Sequence, residues 1–280
     1  MEYQTKCKIY KEKDMNYKYI ELEIKDYIAT VTLAREKSLN ALSLAFATEI
    51  ANVFEELAAK DEVRAVILKS KARIFCAGLD LKDAAGGFTG TARGPFDMIK
   101  KSQPLFDCCN AIEECPKPVI AAVHGQCIGG GLHIISACDI RLCTEDASFC
   151  LKEPKIGLCA DMGALQRLPL VIGQGYAREI AFTVGFFSAA QADKMGLVNH
   201  VYADQDALYA AAREMAVQIT ENAPLAIECS KEVLNFSRHT SVSEGMALAI
   251  QKNMFLLTTD DIKEAFVAFM EKRKPGFQGK

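Results

Sequence analysis

Short apolar runs recur through the first two thirds of this 280-residue chain, and a segment of helical period follows them again and again. Ala65-Val66-Ile67-Leu68 and Val119-Ile120-Ala121-Ala122-Val123 are too short for buried helices and carry no polar residue. They read as buried strands. Between and around them the apolar spacing changes. Over residues 43–60, Phe46, Ile50, Val53, Phe54 and Leu57 fall on one helical face, and residues 96–114 read as a further helix that Pro116-Lys117-Pro118 stops. A chain that alternates in this way is held to an α/β core.

The other elements fit the same frame. Residues 19–24 and 28–33 alternate well enough for a hairpin, with Lys25-Asp26 as the turn. Residues 84–94, rich in Gly and Thr, read as a mobile surface loop. A Gly-rich turn enters a helix over 132–138, and short strands follow near 140–143 and 148–150. Helices are expected over 161–168, 173–183 and 189–195, with a strand at 197–201. From residue 205 the pattern is helical alone: 205–221, 224–237, 242–257 and 260–272. The expectation is a catalytic core over 1–204 and a helical region over 205–280. Helices with apolar faces and no sheet of their own need something to pack on, and oligomerisation is a natural solution.

Composition excludes several functions. The net charge of −3 and the lack of a basic stripe leave no footprint for nucleic acid. The eleven cysteines are odd in number and hold no CxxC pair, so zinc-ligand spacing is missing and reduced thiols acting as small hydrophobes are expected. His124, His200 and His239 suggest no metal site. Residues 1–19 mix Lys with Glu and Asp and resemble neither a signal nor a transit peptide. No apolar run is long enough for a bilayer. The ending Phe277-Gln278-Gly279-Lys280 is not a peroxisomal tripeptide. The expectation is a soluble intracellular protein without membrane partners, its compartment (cytosol, mitochondrion or peroxisome) left open.

Three segments carry chemistry. In Phe75-Cys76-Ala77-Gly78-Leu79-Asp80-Leu81, a glycine after a strand lets the backbone turn and present an N–H; alone, this is equally a plain turn. His124-Gly125-Gln126-Cys127-Ile128-Gly129-Gly130-Gly131 brings bare backbone to a helix N-terminus, whose unpaired donors and positive dipole end suit an anion or an oxygen that becomes one. It lacks the dinucleotide and P-loop fingerprints. In Lys152-Glu153-Pro154-Lys155-Ile156-Gly157-Leu158-Cys159-Ala160-Asp161, two carboxylates sit in an apolar stretch. Facing one pocket, they would divide into an acid and a base. On spacing alone, Glu153 is as readily a surface residue and Asp161 a cap of the next helix.

Together, in this order and at these separations, the segments resemble the crotonase (enoyl-CoA hydratase/isomerase) family. The likeness runs from the hairpin through Asn40-Ala41-Leu42-Ser43 to Glu271-Lys272-Arg273-Lys274-Pro275-Gly276-Phe277, nearly the whole chain. The resemblance implies an α/β crotonase-like spiral of ββα units with a helical C-terminal trimerisation region, and a homotrimer or dimer of trimers. It implies an oxyanion hole from the backbone N–H groups of Leu79 and Gly130. It implies contacts of Lys37, Ala77, Lys82, Lys272 and Lys274 with coenzyme A, the tail lysines reaching a neighbouring subunit. The substrate would be an acyl-CoA thioester, with coenzyme A as part of it and neither metal nor other cofactor required.

The resemblance also bears on the reaction. The hydratase branch of the family has Glu at both positions matching His133 and Glu153. The dienoyl-CoA isomerase branch keeps the acids matching Glu153 and Asp161 and has Asp where this chain has His133. The wording of the segments is nearest that isomerase branch. It implies that Asp161 takes a proton from C2 and Glu153 returns one at C6, turning a 3,5-dienoyl-CoA into a 2,4-dienoyl-CoA in fatty acid β-oxidation. His133 would act in proton transfer, as a tuning neighbour or as pocket wall. The alternatives are a 3-enoyl to 2-enoyl isomerase, an enoyl-CoA hydratase, and a catalytically impaired acyl-CoA-binding protein.

Overall fold

The structure, a computed structural model, describes residues 17–87 and 94–280. The chain opens with β1 (Ile20–Lys25) and β2 (Ile28–Leu33), an antiparallel hairpin turned by Asp26 and Tyr27, both at positive φ. Then come α1 (Leu44–Ala58), capped by the Ser43 hydroxyl, β3 (Ala65–Ser70), α2 (Leu81–Gly87) and α3 (Gly94–Glu114). The middle of the chain forms β4 (Val119–Val123), β5 (Gln126–Ile128), α4 (Gly130–Ala137), β6 (Ile140–Thr144) and β7 (Ser148–Cys150). It continues through α5 (Ala164–Thr183), β8 (Phe187–Ser188), α6 (Ala189–Met195) and β9 (His200–Tyr202). Four helices follow: α7 (Gln205–Thr220), α8 (Pro224–Ser237), α9 (Val242–Leu256) and α10 (Asp260–Glu271).

The main sheet has the order β1-β2-β3-β4-β6-β9, with β1 antiparallel to β2 and the rest parallel. Successive side chains of a strand point to opposite faces, and the core divides accordingly. Val66, Leu68, Val119, Ala121 and Val123 join α1, α3 and α4 on one face. Ala65, Ile67, Ile120 and Ala122 meet Leu208, Ala212 and Ala216 of α7 on the other. A second, smaller sheet pairs β5 with β7 and β7 with β8. It leans on the loop after β3 through the Cys76–Cys127 bridge.

Several boundaries differ from the sequence reading. The expected loop at 84–94 is helical at its near end, because the Asp80 carboxylate accepts from the N–H groups of Lys82 and Asp83 and so starts α2. At its far end α3 already begins at Gly94, and the middle of that loop lies outside the described residues. The two helices expected over 161–168 and 173–183 form one element, α5, in which Gly173 breaks the helical path at φ 76°, ψ 162°. The last strand sits at His200–Tyr202 rather than 197–201, and β5 and β8 were not legible in the sequence. Among the described residues, no helix is long and apolar enough to cross a membrane.

Candidate active site

A cavity of about 300 Å³ opens where the loop after β3, the N-terminus of α4 and the segment after β7 converge. Leu79, Gly130, Glu153 and Asp161 all line it, with Ala77, Gly78 and Gly129 beside them. The rest of its wall is largely apolar, from Leu42, Leu44, Leu105, Ile156, Leu158 and Met162.

The backbone of the loop explains what faces inward. Leu42 and Leu79 form a parallel bridge in which Leu42 N–H donates to Gly78 O at 2.7 Å and Asp80 N–H donates to Leu42 O at 2.9 Å. Bridging groups alternate along a strand edge, so the N–H of Leu79 points away from Leu42. Gly78 holds this course at φ 92°, a conformation a side chain resists. Asp80 anchors the loop from behind. Its Oδ2 pairs with Arg35 Nη1 at 2.7 Å. Burial opposes the charge of Asp80, but Arg35 and the α2 N–H groups outweigh it and hold the carboxyl below its usual range.

Gly130 is the first residue of α4, so its N–H has no acceptor within the helix. A Cβ there would run into Leu42 Cδ1 and approach Gly78 C to 3.8 Å. A side chain at this position would therefore have to displace the Leu42 side chain that packs against the helix end. Gly129 is constrained by φ 48°, and a Cβ there would stand 2.9 Å from Glu153 Oε1.

Glu153 opens a 3-10 turn, Glu153–Ile156, and its carboxyl lies over Gly129 with 14% of the side chain exposed. Glu153 Oε2 is buried without a hydrogen-bond partner among the described residues. Asp161 is exposed and borders both this cavity and a neighbouring one of about 280 Å³. It is no helix cap: α5 begins at Ala164 behind Gly163, and among the described residues Asp161 accepts no hydrogen bond from its first turn. His133, the third candidate, projects from α4 behind the cavity wall. Its Nε2 stands 3.2 Å from Glu153 Oε1, at ion-pair distance yet outside hydrogen-bond geometry.

Of the five residues matched to coenzyme A contacts, Ala77 lines the cavity while Lys37, Lys82, Lys272 and Lys274 do not, and all four lysines are exposed. Lys274 Nζ pairs with Glu221 at 3.0 Å. Two cations the sequence did not single out, Lys101 on α3 and Lys152 beside Glu153, do border the cavity. Nothing local in the sequence distinguishes them from other lysines, although Lys152 is half-buried with its Nζ over the Phe186 ring. Among the described residues, no group of three His, Cys, Asp or Glu could hold a metal ion.

A family model described as enoyl-CoA hydratase/isomerase matches residues 23–280. The chain is 40% identical over 270 residues to a mouse (Mus musculus) mitochondrial protein named Delta(3,5)-Delta(2,4)-dienoyl-CoA isomerase, covering 93% of this chain and 82% of that one. It is 37% identical over 273 residues to a Dictyostelium discoideum protein of the same name, covering 94% and 92%. Among solved structures, an enoyl-CoA hydratase from Bacillus anthracis superposes with a TM-score of 0.87 at 32% identity, covering 94% of this chain and all of that one.

Proposed function

The chain belongs to the enoyl-CoA hydratase/isomerase family, and from that membership we propose that it is an isomerase converting 3,5-dienoyl-CoA to 2,4-dienoyl-CoA thioesters in fatty acid β-oxidation. The observation that carries the reading is the meeting of Leu79, Gly130, Glu153 and Asp161 around one cavity. The thioester carbonyl oxygen accepts from the N–H groups of Leu79 and Gly130. Those donors favour the enolate-like transition state because negative charge gathers on that oxygen only as the C2 proton leaves. Asp161 takes that proton. The electron pair moves along the conjugated chain, C2=C3 and C4=C5 form, and Glu153 delivers a proton to C6. Proton exchange with water resets the two carboxyls. The chemistry calls for no group beyond the acyl-CoA itself.

An apolar wall suits the acyl chain, and Lys101 and Lys152 offer charge at its edge. Lys37 and Lys82 are proposed to meet the coenzyme A phosphates, with Lys272 and Lys274 serving a neighbouring subunit in a trimer or dimer of trimers. The test supplies the purified protein with 3,5-dienoyl, 3-enoyl and 2-enoyl thioesters side by side. Absorbance of the extended conjugation should rise with the dienoyl substrate. Turnover of the 3-enoyl thioester alone, or hydration of the 2-enoyl one alone, would replace the reading with one of its alternatives.

A further inference from the structure

Neither proton transfer uses His133, yet its ring is held at one nitrogen and aimed at Glu153 by the other. Its side chain is 1% exposed. On one side, Ala164, the first residue of α5, donates its N–H to His133 Nδ1 at 3.0 Å. Gly163 before it has no side chain to cap the helix, so the imidazole of another helix does so. A ring nitrogen that accepts a hydrogen bond offers its lone pair and carries no proton. The positive end of the α5 dipole at the same place disfavours a proton on Nδ1 further. The neutral ring therefore keeps its single proton on Nε2.

That nitrogen is the one directed at Glu153, 3.2 Å from Oε1. Both His133 Nε2 and Glu153 Oε2 are buried and lack a hydrogen-bond partner among the described residues. A modest turn of the Glu153 carboxyl would complete the Nε2–H···Oε1 bond, and contacts of this kind tighten once substrate is in place. Gly129 limits the turn from the other side, since the carboxyl already lies over it.

We propose that His133 is a positioning residue: a neutral imidazole, protonated at Nε2 and locked by the start of α5, that donates to Glu153 Oε1 and so holds the carboxyl in the orientation from which it delivers the proton. The inference rests on Glu153 being the group that serves C6. His133 exchanges no proton itself. An imidazole here differs from an acid in two ways: it gives a hydrogen bond rather than competing for one, and it adds no negative charge beside Glu153.

Two substitutions separate this role from a structural one. In His133→Asn the amide oxygen takes the place of Nδ1, so the α5 cap survives and the donor to Glu153 is lost. In His133→Gln the amide nitrogen takes the place of Nε2, so the donor survives and the cap is lost. With the dienoyl thioester, His133→Asn should melt near the unaltered protein and keep its KM while kcat falls about tenfold or more. His133→Gln should melt lower and keep kcat within a few-fold. Nitrogen-15 NMR of the unaltered protein at neutral pH should show the Nε2–H tautomer. An unchanged kcat in His133→Asn, or a ring protonated at Nδ1, overturns the proposal, and the NMR result decides it should both variants fail to fold. If the protein turns over only a 3-enoyl thioester, the dienoyl reading falls, and the same variants assayed on that substrate still test His133.

Discussion

Glu153 and Asp161 differ most in their contact with water. Glu153 is nearly enclosed, packed over Gly129 and beside His133, whereas Asp161 is exposed at the junction of two cavities. The two proposed steps can therefore be taken apart. Glu153→Gln should lower dienoyl turnover about 100-fold or more, yet still exchange the C2 proton of the substrate with deuterated water, because Asp161 remains. Asp161→Asn should lose both turnover and exchange. Mass spectrometry of recovered thioester reads the label, and the opposite pattern would exchange the roles of the two acids. The sequence named both carboxylates from their apolar setting but left open whether they were a surface residue and a cap. Only the position of Gly163 at the start of α5 removed the cap.

At the level of elements, the site depends on pieces pinned together over long distances in the chain. The loop bearing Leu79 is held by its bridge to Leu42 and by Arg35–Asp80. Helix α8 is tied to the sheet by two ion pairs, Lys117–Glu228 and Lys231–Asp139, the second at 2.7 Å. Lys231 is buried, and Asp139 Oδ2 also accepts from Val119 N–H at the start of β4. Lys231→Met removes the cation and leaves that carboxylate with a single donor. It should destabilise the protein by about 2–3 kcal/mol in denaturant unfolding, with an unchanged KM for the thioester. A loss below 0.5 kcal/mol, the scale of an exposed pair, would mean that α8 is held by packing alone. The helices themselves were legible because their apolar faces repeat. The partner of each face was not, since an apolar residue records that it is buried and not what buries it. Helix α7 shows this: read as part of a helical region from residue 205, it covers the second face of the main sheet.

For the whole molecule, acid and association are the two levers. Burial opposes the charge of Glu113, but Arg167 and Arg238 together hold its carboxyl below the ordinary range; Asp80 is depressed as well. A depressed carboxyl adds stability that is present above its unfolded value and is lost as pH falls through the folded one. Melting temperature should thus be nearly level from pH 7 to 5 and fall below about pH 4, and Glu113→Gln should melt lower at pH 7 with a shallower acid decline. An acid decline as steep as in the unaltered protein would remove Glu113 from this account. The second lever is the apolar surface of the last two helices. Met246, Ile250 and Met254 recur every four residues on α9, and on α10 Phe269 is 80% and Met270 79% exposed. Burying each such side chain stabilises by about 1.5–3 kcal/mol. Sedimentation should give a trimer or a dimer of trimers, and Met254→Glu with Phe269→Glu should shift it to smaller species; a monomeric unaltered protein at micromolar concentration would end that proposal. Local spacing was enough to lay out the alternating core and to mark the glycines and the two acids as candidates, but that both acids line one cavity came from the packing of the chain. The tertiary structure alone decided that a ring on α4 caps α5 and faces Glu153, and that Lys101 and Lys152 border the cavity. Those meetings join residues tens of positions apart, and they arise from how whole helices pack, which local periodicity does not encode.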